Sequence, residues 1–116
     1  MNELIVMTGA AGGIGSHLVR ELSRLNYRII ATDYDLTALK SVAEEQGWHP
    51  DVILEALDVR DENRWSELFE TIESRYGRVD VMMNVAGVLK PGTFINEDIE
   101  SYERHFEVNV RGVFLG

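Results

Sequence analysis

The sequence predicts an α/β fold: a parallel sheet doubly wound with helices on both faces. Three observations predict it. Leu4 to Thr8 is an unbroken apolar run, the pattern of a strand buried on both faces rather than one. Strand-like and helix-like patterns then alternate along the chain, which implies right-handed crossovers and parallel strands. Finally, the glycine-rich stretch "GAAGGIG" (Gly9 to Gly15) separates the first strand from the first helix.

Each element follows from its own pattern. After the glycine turn, Ile14, Leu18, Leu22 and Leu25 recur at helical spacing and mark one face of a first helix. "RIIATD" (Arg28 to Asp33) reads as the second strand. Leu36 to Glu45 is helical until Gly47 and Pro50 break it. "VILEALD" (Val52 to Asp58) is the third strand, and Trp65, Leu68, Phe69, Ile72 and Tyr76 stripe the next helix. "VDVMMNVAG" (Val79 to Gly87) is a fourth strand that runs into a glycine turn, and Pro91 with Gly92 marks a loop. From about Asp98 a last helix carries Ile99, Tyr102, Phe106, Val110 and Val113 on one side.

The totals bound the function. The 116 residues make a single domain, 45% hydrophobic and 27% charged, as in an ordinary globular protein. A formal net charge of -9 argues against nucleic acid and anionic membrane as partners, since both reward clustered Lys and Arg. With no cysteine, neither a disulfide framework nor a thiolate metal site can form. His17, His49 and His105 are scattered without ligand spacing, so no metal is expected. Glu97, Asp98 and Glu100 read as a solvated helix start that complements the dipole. "MNELIVM" has no basic leader and too short an apolar run for a membrane span, so a cytoplasmic location is the expectation.

The glycine turn has a physical use. Where a strand meets the N-terminus of the next helix, free N–H groups and the helix dipole attract anions, and glycines let a pyrophosphate approach the backbone. A plain tight turn is the alternative, but the strand-before, helix-after context is the one a dinucleotide motif requires. No Lys-Ser or Lys-Thr follows the glycines, which speaks against a P-loop. Asp33 closes the second strand roughly 20 residues on, where a carboxylate accepts hydrogen bonds from an adenosine ribose. Beginning a turn with Tyr34 and Asp35 is its alternative role. A carboxylate there repels a 2′-phosphate, so NAD is expected over NADP.

"TGAAGGIG" (Thr8 to Gly15), "LDV" (Leu57 to Val59), "NVAG" (Asn84 to Gly87) and "NVRG" (Asn109 to Gly112) together resemble the short-chain dehydrogenases/reductases. The motifs stand in the family's order across nearly the whole chain; Val85 departs from the Asn that the family often has there. The resemblance implies a Rossmann-like sheet and assigns roles. The backbone of Thr8, Gly9, Gly13 and Gly15, with Ile14 nearby, would hold the pyrophosphate and its riboses. Asp33 would bind the adenosine ribose, and Asp58 with Val59 would flank the adenine. Asn84, Ala86 and Gly87 would stabilise the sheet and border the nicotinamide ribose. Asn109 would be the family's catalytic Asn, which holds a water in the proton relay. Bland roles stand beside these. Asp58 could cap the following helix and Asn84 could satisfy backbone groups. Asn109, a mediocre helix former inside a helix, implies a specific hydrogen bond.

Hydride transfer in the family also needs a Ser and a Tyr-x-x-x-Lys pair beyond the helix of Asn109. Tyr27, Tyr34, Tyr76 and Tyr102 are followed four residues on by Ala31, Ala38, Asp80 and Phe106. The expectation is therefore the NAD-binding part of an oxidoreductase acting on an alcohol or carbonyl, truncated after about four strands and inactive alone. An open sheet edge and an apolar helix stripe predict a homo-oligomer. A non-catalytic NAD-binding module and an S-adenosylmethionine-dependent methyltransferase are the competing readings.

Overall fold

The computed structural model describes residues 2–116. Its sheet has four parallel strands in the order β3-β2-β1-β4: β1 (Leu4–Met7), β2 (Arg28–Asp33), β3 (Ile53–Ala56) and β4 (Val81–Met83). Ile5 pairs with Ile29 on one side and with Val81 on the other, and Ile30 pairs with Ile53. Asp80 closes the lower end of the β1–β4 pair, accepting from the Leu4 N–H at 2.9 Å through its carboxylate.

Side chains alternate across a strand, so β1 and β2 feed two cores. Leu4, Val6 and Ile30 pack with Trp65, Leu68 and Ile72 of α3 (Glu62–Tyr76). Met7, Ile29 and Ala31 pack on the opposite side with Val19 of α1 (Gly13–Arg24), Leu39 of α2 (Leu36–Glu45) and Trp48. This is the doubly wound arrangement. The apolar run of β1 is wholly buried because helices cover both of its faces.

The final helix is α4 (Ile99–Phe106), a π turn (Glu107–Arg111) and α5 (Gly112–Leu115) in one continuous run. Val108 and Leu115 face the α3 core, while Ile99, Tyr102, Phe106, Val110 and Val113 lie exposed on the other side. β4 is an edge strand.

Three elements differ from expectation. The stripe assigned to α1 is only in part its inner face: Leu18 and Leu22 pack against the core, but Ile14 is 73% and Leu25 57% exposed, and the fully buried positions are Gly15, Ser16, Val19 and Ser23. The start of α1 lies against the backbone of its own loop, and a β-carbon on Gly15 would strike the Gly9 carbonyl oxygen. Small residues therefore take the inner positions, and Ile14 turns outward. The third and fourth strands are also shorter than their apolar patterns. Only Ile53–Ala56 and Val81–Met83 keep the ladder, and Val85, Ala86 and Gly87 leave the sheet to build the cleft described below.

Gly112 is the point where the last helix meets β3's continuation. A β-carbon there would come within 2.6 Å of Val59 Cγ2, a stiff, buried neighbour. Replacing helical Gly by Ala gains up to about 1 kcal/mol in propensity, but overpacking typically costs about 1–3 kcal/mol. Gly112→Ala is thus expected to lower the urea-unfolding free energy by about 1 kcal/mol or more. An unchanged or raised midpoint would show that the helix is not seated this tightly.

Candidate functional site: a cleft at the strand crossover

Chain order reverses at β1, whose neighbours β2 and β4 belong to opposite crossovers, and a doubly wound sheet opens its crevice beyond the strand ends at that place. An open cleft of about 860 Å³ lies there. Its walls are the glycine loop, the end of β2 from Asp33 to Asp35, the segment Leu57 to Arg60, and Val85 to Val88.

The loop is shaped by close backbone approaches. Gly9 has φ of +64°, and a β-carbon on it would lie 2.6 Å from Ala86 Cα. Gly12 donates to the Gly9 carbonyl at 3.1 Å, and Ala10 to the Thr32 carbonyl at 3.0 Å. Gly13 has nothing within 4 Å of a notional β-carbon, so the loop's rim is open. The N-cap of α1 is Gly12, with no side-chain cap bond and no acidic residue in the first turn. By contrast, α2, α3 and α4 are each capped by an aspartate (Asp35, Asp61 and Asp98). The first turn of α1 therefore directs its N–H groups and positive dipole end at the cleft without a protein carboxylate capping it.

Gly9, Gly13, Ile14, Gly15, Asp33, Asp58, Val59, Ala86 and Gly87 all line this cleft. Asp33 is staked in place: its Oδ2 accepts from the Ala11 N–H at 3.1 Å and its Oδ1 from the Asp35 N–H at 3.3 Å. Asp58 is not the cap of α3, a role that Asp61 fills by accepting from the Arg64 N–H at 3.1 Å. Instead Asp58 pairs with Arg60 through contacts of 2.8 and 3.0 Å, and this guanidinium holds its carboxyl below the usual carboxylate range. Arg60 also reaches Glu107 at 3.6 Å.

Three expected site residues stand behind the walls. Thr8 is 1% exposed, and its hydroxyl accepts from both the Val85 and Ala86 N–H groups at 3.1 Å. It holds the two sides of the cleft together rather than facing into it. Asn84 lies beside Gly116 and Trp65, on the α3 side of the sheet. Asn109 does make the specific bonds that its helical position implied: Oδ1 accepts from the Val88 N–H at 2.8 Å, and Nδ2 donates to the Val88 carbonyl at 2.9 Å. Its amide thus binds Val88 as a neighbouring strand would. Arg60, Tyr34 and Val88 line the cleft without having been singled out. The adjacency of Arg60 to the "LDV" motif was the only available signal. Among the described residues, no group of three or more His, Cys, Asp or Glu side chains could hold a metal, and no helix is long and apolar enough to cross a membrane.

The short chain dehydrogenase family profile matches residues 3–116, and the chain belongs to that family. It is 36% identical over 115 residues to 2,3-dihydro-2,3-dihydroxybenzoate dehydrogenase of Bacillus subtilis, covering 97% of this chain and 43% of that protein. It is 30% identical over 113 residues to a 3-oxoacyl-[acyl-carrier-protein] reductase of Thermotoga maritima, covering 97% of this chain and 46% of the relative. Among solved structures, a 3-ketoacyl-(acyl-carrier-protein) reductase from Brucella melitensis, complexed with NADH, superposes with a TM-score of 0.85 at 26% identity. That match covers 97% of this chain and 46% of the other. The chain spans less than half the length of these relatives.

The Thr8 hydroxyl is the test of how the walls are joined. Thr8→Val keeps the shape but strands two N–H groups in a partly buried place, at about 1–3 kcal/mol for an unsatisfied group. Urea unfolding should show a loss of at least about 1 kcal/mol. A neutral substitution would mean that water replaces the hydroxyl.

Proposed function

We propose that this chain is the cofactor-binding part of an NAD-dependent oxidoreductase that interconverts an alcohol and a carbonyl. The observation that carries the reading is the uncapped N-terminus of α1 at the head of the cleft, with the Asp33 carboxylate at the neighbouring strand end. A pyrophosphate would sit over Gly12, Gly13 and Ile14, where backbone N–H groups and the dipole meet it. Asp33 would accept from the adenosine ribose hydroxyls, and its charge would disfavour a 2′-phosphate. Asp58 and Val59 would border the adenine, and Ala86 and Gly87 the nicotinamide ribose. The nicotinamide, when bound, gives or takes a hydride.

Asn109 has both ends of its side-chain amide engaged by Val88. If it serves a proton relay, it does so through its backbone, within the π turn. The relatives' names support chemistry at hydroxyl and keto carbons and favour an oxidoreductase over a silent module or a methyltransferase. We place the protein in the cytoplasm. The exposed stripe from Ile99 to Val113 and the open edge of β4 support self-association.

Calorimetric titration with NAD and NADP tests this. Saturable NAD binding is expected, with NADP weaker and NAD weakened about tenfold in Asp33→Ala, as the loss of a charge-assisted hydrogen bond implies. Equal affinity for both cofactors, unchanged in the variant, would overturn the assignment of Asp33. No binding of either would overturn a cofactor site carried by this chain alone.

A further inference from the structure

The chain leaves the cleft through Val88, Leu89 and Lys90, and two side chains of the last helix hold it there. Asn109 holds Val88 by the two amide bonds already described. His105 holds Lys90: the Lys90 N–H points at its Nε2 at 3.0 Å. On the other side of the ring, Nδ1 lies 2.6 Å from the Ser101 carbonyl oxygen.

These partners fix the state of the imidazole. A backbone N–H can only donate, so Nε2 must be the bare nitrogen; a carbonyl can only accept, so Nδ1 must carry the proton. Only the uncharged ring with that tautomer makes both bonds. A second proton would sit on Nε2 and face the Lys90 N–H directly. Pro91 cannot compensate, because it has no N–H and restricts Lys90 to extended conformations.

We infer that His105 is a positioning residue whose neutral form latches the strand-to-helix connection that continues the cleft wall, and that mild acid releases it. The charged groups around the ring come from both packed elements: Lys90 from the connection, and Asp98, Glu100 and Arg104 from α4 and its cap. Lys90 Nζ also lies 3.9 Å from Asp98. Ordinary carboxylates, ammonium and guanidinium groups keep their charge between about pH 5 and 8, whereas an imidazole changes its own there. Asn109 does not titrate at all, so Val88 stays held while the segment from Leu89 onward is freed. The latch stands whether or not a dinucleotide fills the cleft.

The two neighbouring amides make the test internal. Amide exchange of Val88 and Lys90 is followed by NMR from pH 8 to pH 5 in the wild type, His105→Gln and His105→Ala. Gln offers an oxygen near the position of Nε2 but cannot take up a proton in this range. In the wild type, the protection of Lys90 relative to Val88 should fall by up to about tenfold per pH unit below the imidazole midpoint. In His105→Gln the ratio should stay flat and high, and in His105→Ala flat and low. A constant wild-type ratio, a parallel fall at both amides, or the same fall in His105→Gln would overturn the latch. So would a neutral ring with its proton on Nε2, read from the nitrogen shifts at pH 8.

Discussion

The backbones of Gly9 and Ala86 pass so close that no side chain fits between them. That approach joins the turn after β1 to the turn after β4, the two segments that part at the crossover of the sheet. Thr8 secures it from beneath with one hydroxyl and two amides. The geometry of the cleft follows. Gly9 in the left-handed region reverses the chain, Gly12 begins α1, and Gly15 allows the helix to press on its own loop. A larger residue at any of these contacts would move the first turn of α1 and the N–H groups it presents.

The charge distribution is consistent with this construction. Three of the long helices begin on an aspartate side chain and one begins on glycine. In a chain of net charge -9, acidic caps are readily available. The helix without one is the helix that begins at the glycine loop of the cleft. Its first turn therefore adds a positive dipole end to a cleft that also contains Asp33, Asp35, Asp58 and Glu100 as carboxylates. The helix N-terminus thus suits phosphate, and the Asp33 carboxylate beside it suits hydroxyl groups.

The alternation of strands and helices was legible in the sequence because buried parallel strands and amphipathic helices have different periods. The glycine motif and Asp33 were legible because their spacing reflects one local geometry. Contacts between distant segments were not. Nothing near Thr8 in the chain indicates that its hydroxyl will meet residues 85 and 86. Ile14 reads as core at helical spacing, yet close packing on Gly15 turns Ile14 outward while Leu18 and Leu22 keep the core side. Asn109 gave a partial signal. Its poor helix propensity implied a hydrogen bond, but the partner, Val88, and the π turn around it emerge only in three dimensions.

On the function proposed above, the loop after β1 and the turn after β4 form one binding surface. The most direct measurement is a titration of isotope-labelled chain with NAD, following individual amide signals. Gly12, Gly13 and Ile14 on one wall and Ala86 and Gly87 on the other should shift together with one dissociation constant. Shifts confined to one wall, or centred on the exposed face of the last helix, would contradict it.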